Sequence, residues 1–239
     1  MPAPNPGLKR LVPLFEAVRR YHKHRVVGLE NVPRAGAAVL VHNHSLATYD
    51  HFLLGAAIFE LYGRLVHGLG DRLWFRIPIV AQLMRYIGFV EASMAGARSI
   101  LDQGEMVGVT PGGMREALKP STQKYRLQWQ DRKGFARLAI LAQCPVVPVV
   151  CIGGDEIFTV YESPLTEMVY QRFKLPLPLF RGRGPTVVPR PAALTHYVES
   201  GLRPPLVRTD DPALPRAIDE YHAAVTARMN QLMQTVLAR

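Results

Sequence analysis

The stretch VHNHSLATYDHFLLG (Val41–Gly55) places His42, His44, Asp50 and His51 within ten positions, at the point where an apolar run turns polar. Side chains of these types support three kinds of chemistry. The four together offer enough nitrogen and oxygen ligands for zinc, and two histidines one residue apart at a strand end can share an ion. Against this, the acid does not follow the histidines within two residues, and the later His67, His196 and His222 stand in no ligand motif. A serine nucleophile would need a Gly-x-Ser-x-Gly elbow, which is absent, and Ser45 follows His44 too directly to use its imidazole. In the third reading His44 is a general base that takes a proton from an attacking hydroxyl. Asp50 would then fix its tautomer and stabilise the cation that forms. The plain alternative is two polar residues closing a loop, since aspartate is common at helix starts.

A second stretch, VTPGGMREALKP, sets Pro111, Gly112 and Gly113 directly after an apolar run and before Arg115. Glycines at such a turn allow close backbone approach to a ligand. Amides there can hold an anion or an oxyanion, with Arg115 and Lys119 as cations for phosphate.

The elements that must position these groups follow from patterning. A helix is expected from Pro13, with Leu14, Phe15, Val18 and Tyr21 on one face and Glu16, Arg19, Arg20 and Lys23 on the other. AAVLVH (37–42) reads as a buried strand, HFLLGAAIFELYG as a helix apolar almost all round, and RLVHGL (64–69) as a second strand. In 73–90, an apolar segment is interrupted by Pro78 and stopped by Gly88, and its Trp74 and Phe75 suit either a core or a membrane interface. ARSILDQG is helical, EMVGVT a third strand, GFARLAILAQC a helix and PVVPVVCIGG a fourth strand that Pro148 moves toward an edge or a bulge. A proline-, glycine- and arginine-rich loop (173–191) leads to a late strand. A final helix begins near Pro215, with Ile218, Tyr221, Val225, Met229, Leu232 and Val236 at three- and four-residue steps. Strands alternating with helices make an α/β protein with a largely buried sheet.

At 239 residues and 48% hydrophobic, the chain fits one large domain. Its net charge of +10 favours anionic partners such as phospholipid surfaces or phosphate-bearing cosubstrates. The basic residues are dispersed and form no nucleic-acid-binding motif, so nucleic acid is not an expected partner. Cys144 and Cys151 lack disulfide or zinc spacing and read as small core residues in a reducing compartment. No stretch approaches the roughly 18 apolar residues of a spanning helix, and the opening MPAPNPGLKRLVP has no apolar signal core. The expectation is a cytoplasmic protein with peripheral membrane contact, to which a basic amphipathic N-terminal helix is suited.

Taken in order, the motifs resemble the glycerolipid acyltransferase superfamily over about residues 26 to 200, with the pattern of the transmembrane protein 68 branch and the type 2 diacylglycerol acyltransferases. PGGMREAL, RKGFARLA and PVVPV occur in the family's order and spacing, after GLENVPRAGAAVLVHNHSLATYDHFLLG. The resemblance implies a mixed, mostly buried sheet flanked by helices, with an amphipathic N-terminal helix (1–25) before an acyltransferase domain (26–239). It implies transfer of a fatty acyl group, usually from acyl-CoA as co-substrate and with no separate cofactor or metal, to a lipid hydroxyl. His44 matches the family's catalytic histidine, Asp50 its aspartate, and Arg115, with Gly112 and Gly113 in the turn, its acceptor-binding block. Arg98 and Lys133 are further candidates for phosphate. Five residues rather than four separate His44 from Asp50, and Gly112 stands where the acceptor block usually begins with glutamate. Both departures resemble branches acting on neutral lipids, so a mono- or diacylglycerol or another lipid alcohol is the expected acceptor. A non-catalytic lipid-binding or membrane-tethering protein of the same fold is the alternative.

Overall fold

The computed structural model of the chain describes residues 6–70, 75–86, 88–164, 168, 172 and 178–238, with side chains from residue 13 onward. Trp74 and part of the loop 173–191 lie outside them. The strands are β1 (Arg25–Val27), β2 (Ala38–His42), β3 (Val66–Gly70), β4 (Val90–Glu91), β5 (Met106–Val109), β6 (Val146–Ile152), β7 (Thr159–Val160), β8 (Phe180–Arg181) and β9 (Thr195–Val198). The helices are α1 (Pro6–Tyr21), α2 (Asp50–Tyr62), α3 (Pro78–Tyr86), α4 (Met94–Asp102), α5 (Gly113–Ala117), α6 (Gly134–Ala142) and α7 (Leu214–Leu237).

Among the described residues one sheet of seven strands forms in the order β1-β9-β6-β2-β5-β3-β4. It is parallel throughout except where β9 meets β6, so the pair β1 and β9 runs against the rest. β2 sits in the middle with every residue buried, and its side chains divide by the two-residue period of a strand. Val39 and Val41 join Val107, Val146 and Val150 on the face covered by α4, α6 and α7. Ala38 and Leu40 join Met106, Val147 and Val149 on the face covered by Leu54 and Ile58 of α2. Burial on both faces explains why these strands read as continuous apolar runs rather than as alternation.

α2 is apolar all round because it serves two surfaces. Leu53, Leu54, Ala57 and Ile58 are buried beneath it, while Phe52, Gly55, Ala56 and Phe59 border a cavity. α1 lies on α2, with Phe15 stacked on Phe52 at 6.4 Å and Arg19 paired with Glu60 at 2.6 Å. α7 buries Tyr221, Val225, Met229 and Val236 as the spacing required, and both Ile218 and Leu232 pack at the edge of the same core.

Of two proline readings, one needs correction. α1 is helical from Pro6 through Tyr21, so Pro13 lies inside the helix and does not open it. Pro148 lies in an interior strand, between β2 and β9. The register Val149↔Val198 sets Pro148 opposite Glu199, one residue beyond the end of β9. Its carbonyl still accepts from Glu199 N at 2.9 Å, and pairing resumes at Val146↔Leu202, so residues 147–148 oppose 199–201 and Pro148 lies at a bulge, the second of the two positions its sequence allowed.

Candidate active site

β2 and β5 are neighbours and parallel, so the loops leaving their carboxyl ends converge at one edge of the sheet, where ligands bind in open α/β folds. The loop after β2 carries residues 43–49 into α2, and the loop after β5 carries Thr110, Pro111 and Gly112 into α5. Asn43 prolongs β2 by side-chain bonding: its Oδ1 accepts from Cys151 N at 2.7 Å and its Nδ2 donates to Cys151 O at 3.1 Å. That pairing fixes where the chain leaves the sheet, one residue before His44.

His44 is then clamped through its own backbone. Its N–H donates to Glu116 Oε1 at 2.7 Å, and its carbonyl accepts from Lys119 Nζ at 2.5 Å. Both partners are buried and come from the segment that follows the double glycine. Glu116 Oε2 accepts from Gln128 N at 3.0 Å, and Lys119 is held in turn by Asp155 at 2.9 Å. Lys119, expected to bind phosphate, is therefore an internal tie whose charge is neutralised inside the protein.

The glycines make this clamp sterically feasible. A Cβ at Gly112 would lie 2.0 Å from Glu116 Oε2, so only glycine lets the carboxylate fold back under the turn. Gly113 has φ +51°, and a Cβ there would lie 2.6 Å from Arg132 Nη1, which donates to Gly112 O at 2.6 Å. The Gly113 amide is already committed to Thr110 O at 2.9 Å, so it is not the oxyanion donor expected of it.

Asp50 is buried at the first position of α2, where a negative charge is favoured by the helix dipole. It is not hydrogen bonded to His44. Its oxygens face His51 Nε2 at 3.8 Å and His196 Nε2 at 3.7 Å, and the Cys151 thiol lies alongside. Burial alone would push the Asp50 carboxyl up, but His51 and His196 outweigh it and hold it well below the ordinary carboxylate range. The His51 ring stands 5.6 Å from that of His44 and 4.7 Å from that of His42, so the three imidazoles form one cluster beside the acid. Burial and the neighbouring His51 bring His44 down to about 3, against the opposing pull of Asp50, so its imidazole is neutral near pH 7. On its far side His196 Nδ1 meets His24 Nε2 at 2.8 Å.

Asp50, Cys151 and His196 have ligand-type atoms within 4.8 Å of one another, a different set from the four suggested by spacing. Burial and the Asp50 charge push the Cys151 thiol well above its usual range. Cys144 and Cys151 are both free and buried.

A cavity of about 430 Å³ opens beside this cluster. His42, His44, His51, Thr48 and Thr110 contribute its polar lining, and Phe15, Phe52, Phe59, Leu69, Met84 and Phe89 most of its apolar wall. Glycines of β3 shape that wall: a Cβ at Gly68 would lie 2.5 Å from Phe89 Cζ. The cavity is of the size of a small-molecule site, with few polar groups and long apolar sides.

The structure thus brings His44, His51 and the Gly113 turn together at one cavity, with Asp50 immediately behind. Arg115 is exposed on α5, next to the cavity-lining Met114. Arg98 and Lys133 do not border the cavity. Arg98 binds Asp102 at 2.6 Å and the Leu141 carbonyl at 2.8 Å, tying α4 to α6, and Lys133 pairs with Asp219 at 3.0 Å. Glu116 and Arg132 went unread as individual residues, and His196 was weighed only as a metal ligand and set aside. The Glu and Lys three positions apart in REALK gave a local signal for the first, but nothing local marks His196.

A family model described as Acyltransferase matches residues 23–152. A protein named "DGAT1/2-independent enzyme synthesizing storage lipids" from Mus musculus is 31% identical over 164 residues, 68% of this chain and 49% of its own length. An uncharacterized protein of Mycobacterium tuberculosis is 31% identical over 182 residues, 73% of this chain and 50% of its own. The chain spans about half the length of the curated relatives it matches. Among solved structures, the 1-acyl-sn-glycerophosphate acyltransferase PlsC from Thermotoga maritima aligns over 94% of this chain and 84% of its own, with a TM-score of 0.47 and 16% identity. With the family model covering more than half of its residues, and with the His44 and Gly112–Gly113 blocks meeting at one cavity, the chain belongs to the acyltransferase family, on the glycerolipid branch of transmembrane protein 68.

Proposed function

We propose that this protein transfers a fatty acyl group from acyl-CoA to a hydroxyl of a glycerolipid or another lipid alcohol. The observation that carries the reading is the apolar cavity with His44 in its polar lining. An acyl chain fills the apolar length, the thioester carbonyl lies at the histidines, and the acceptor hydroxyl gives its proton to the neutral His44 as it attacks. The tetrahedral adduct collapses with departure of the CoA thiolate, which takes up the proton that His44 holds. Asp50 acts by its fixed negative charge, which favours the imidazolium formed in the transition state. His51 stands between the two, and His196 and Cys151 hold the acid in place behind it. Arg115 is the cation best placed for the phosphates of CoA, being exposed beside the lining and free of any acidic partner among the described residues. A neutral acceptor agrees with the lack of a charged side chain other than Glu60 among the cavity residues apart from the histidines. The protein works at a membrane surface on the cytoplasmic side.

The test is transfer of labelled acyl-CoA to a panel of mono- and diacylglycerols and long-chain alcohols. Removing a general base lowers the rate by about 10²–10⁴-fold, so His44→Ala should lose nearly all transfer while keeping the parent's circular dichroism. Full activity in a folded His44→Ala protein refutes the mechanism. Tight lipid binding with no transfer by the parent chain assigns it to the lipid-binding alternative.

A further inference from the structure

α3 carries an apolar face with nothing packed over it among the described residues. Ile79 is 82% exposed, Leu83 55% and Tyr86 37%, and Ile77 just before the helix is 46% exposed. Positions 79, 83 and 86 follow the four- and three-residue steps that set side chains on one helix stripe. The opposite side of the same helix is engaged: Ala81 is buried, and Met84 lines the cavity, followed by Gly88 and Phe89. α3 is thus a thin wall with the cavity on one side and its apolar stripe on the other.

The charges within this segment of the chain have one sign, with Asp71 and Glu91 just outside it. The segment 72–90 contains Arg72, Arg76 and Arg85 and no acidic residue. Arg76 is exposed, and Arg85 is exposed with its guanidinium 5.7 Å from the Phe75 ring centre, an arrangement that keeps it beside the stripe. Large aliphatic side chains flanked by arginines, on a protein of net charge +10, match the chemistry of an anionic bilayer surface. Isolated exposed apolar side chains are ordinary, but Ile79, Leu83 and Tyr86 on one stripe beside a lipid-sized cavity need an occupant.

We infer that α3 is the membrane-docking element: Ile79, Leu83 and Tyr86 enter the acyl boundary of an anionic leaflet while Arg76 and Arg85 meet its phosphates. The inference deepens the proposed lipid chemistry and rests on it, since docking there sets the cavity wall against the source of acceptor. It differs from docking by α1, whose Phe15 and Val18 are turned onto the protein's own core.

The experiment is flotation of the purified chain with phosphatidylcholine vesicles and with vesicles holding 30% phosphatidylglycerol, a composition set by the experimenter at roughly the anionic level used to test surface electrostatics. The Ile79→Ser, Leu83→Ser double variant removes exposed side chains, so its fold should survive, which circular dichroism verifies. It should lose binding to anionic vesicles by about tenfold or more. Arg76→Gln should weaken binding by about fivefold, with the difference vanishing in high salt. Because Cys144 and Cys151 are buried, a single exposed thiol from Gln82→Cys can carry an environment-sensitive dye, which should brighten with anionic vesicles. The same dye on Gln234→Cys of α7 should not.

Unchanged flotation of the double variant, or a silent dye at position 82, overturns the inference. So does a parent that ignores vesicles but forms a dimer dispersed by the double variant, which would make the stripe a contact between copies. Transfer to detergent-dispersed acceptor separates the two readings: a double variant that keeps this activity but loses vesicle binding supports docking. A parent that binds vesicles through α3 without any acyl transfer leaves docking standing and removes the proposed chemistry.

Discussion

Glu116→Gln tests whether the loop that carries His44 is held from beneath. Glu116 is fully buried and spends its two oxygens on two backbone donors, His44 N at 2.7 Å and Gln128 N at 3.0 Å. Glutamine has almost the same shape but only one accepting oxygen, so its NH₂ must face one of those N–H groups, donor against donor. Hydrogen bonds to a charged group contribute about 1.5–3 kcal/mol, and an unsatisfied buried donor costs about 1–3 kcal/mol. These overlap for a single lost bond, so the expected loss is about 3 kcal/mol. In a chain of this size that lowers the melting temperature by about 6–12 °C. The functional consequence is larger where the amide turns its NH₂ toward His44, because the imidazole is positioned through that backbone and Lys119 alone would remain to hold it. Thermal melts followed by circular dichroism give the first quantity, and acyl transfer at saturating substrate, well below the melt, gives the second. The variant should lower kcat with KM little changed, since Glu116 does not touch the cavity. A melting temperature within 2 °C of the parent, a margin smaller than about 1 kcal/mol at this size, together with an unaltered kcat, would refute the clamp.

The remaining expectations concern proton uptake and cavity shape. An imidazole of ordinary pKa 6.5 is only about one-quarter neutral at pH 6, whereas His44, brought down to about 3, is neutral throughout. The acid side of kcat/KM should therefore be level from pH 8 to pH 6, and a fourfold fall tracking pKa 6.5 would contradict the buried environment. The same depression costs stability in acid: below pH 6.5 the unfolded chain binds a proton at this residue that the fold refuses until about pH 3. Stability then drops as pH falls through that window, by about 2 kcal/mol from His44 between pH 6.5 and 5. Urea midpoints at the two pH values should show a smaller drop in a His44→Asn variant than in the parent. Gly68→Ala places a Cβ 2.5 Å from Phe89 Cζ and forces that ring toward the cavity. Overpacking of this kind costs about 1–3 kcal/mol, and the product profile by mass spectrometry should shift to shorter acyl chains. An unchanged chain-length profile would show that this wall does not measure the substrate.

What the sequence made legible was what its local patterns control. Buried runs at 38–42, 106–109 and 146–152 became the central strands, and the helical ARSILDQG ends at Asp102, two residues before Gly104, whose φ is +76°. The two motif blocks met because their strands are neighbours. Side-chain ties between blocks were not legible. Arg98, Lys119 and Lys133 looked like free cations, yet each is held by an acid that lies four positions away or further along the chain. His196 belongs to a four-residue strand whose antiparallel insertion between β1 and β6 follows from pairing over long distances. No periodicity within THYV announces that its histidine will stand behind Asp50. Pro148 left an edge and a bulge both open for a related reason, because which of the two a strand proline marks depends on the strands that come to lie beside it.

The placement of β9 also bears on when the protein becomes able to act. His24 and His196 are 172 residues apart in the chain, and β9 closes the gap between the first strand and the middle of the sheet. A growing polypeptide can assemble β2, β5 and β3 around the cavity well before β9 has been synthesised, yet Asp50 would then face open space where His196 belongs. Pairings of such long separation form late and slowly. The nascent chain would thus hold its apolar cavity before the acid behind it is fixed, and the site would be complete only as β9 slides into the sheet.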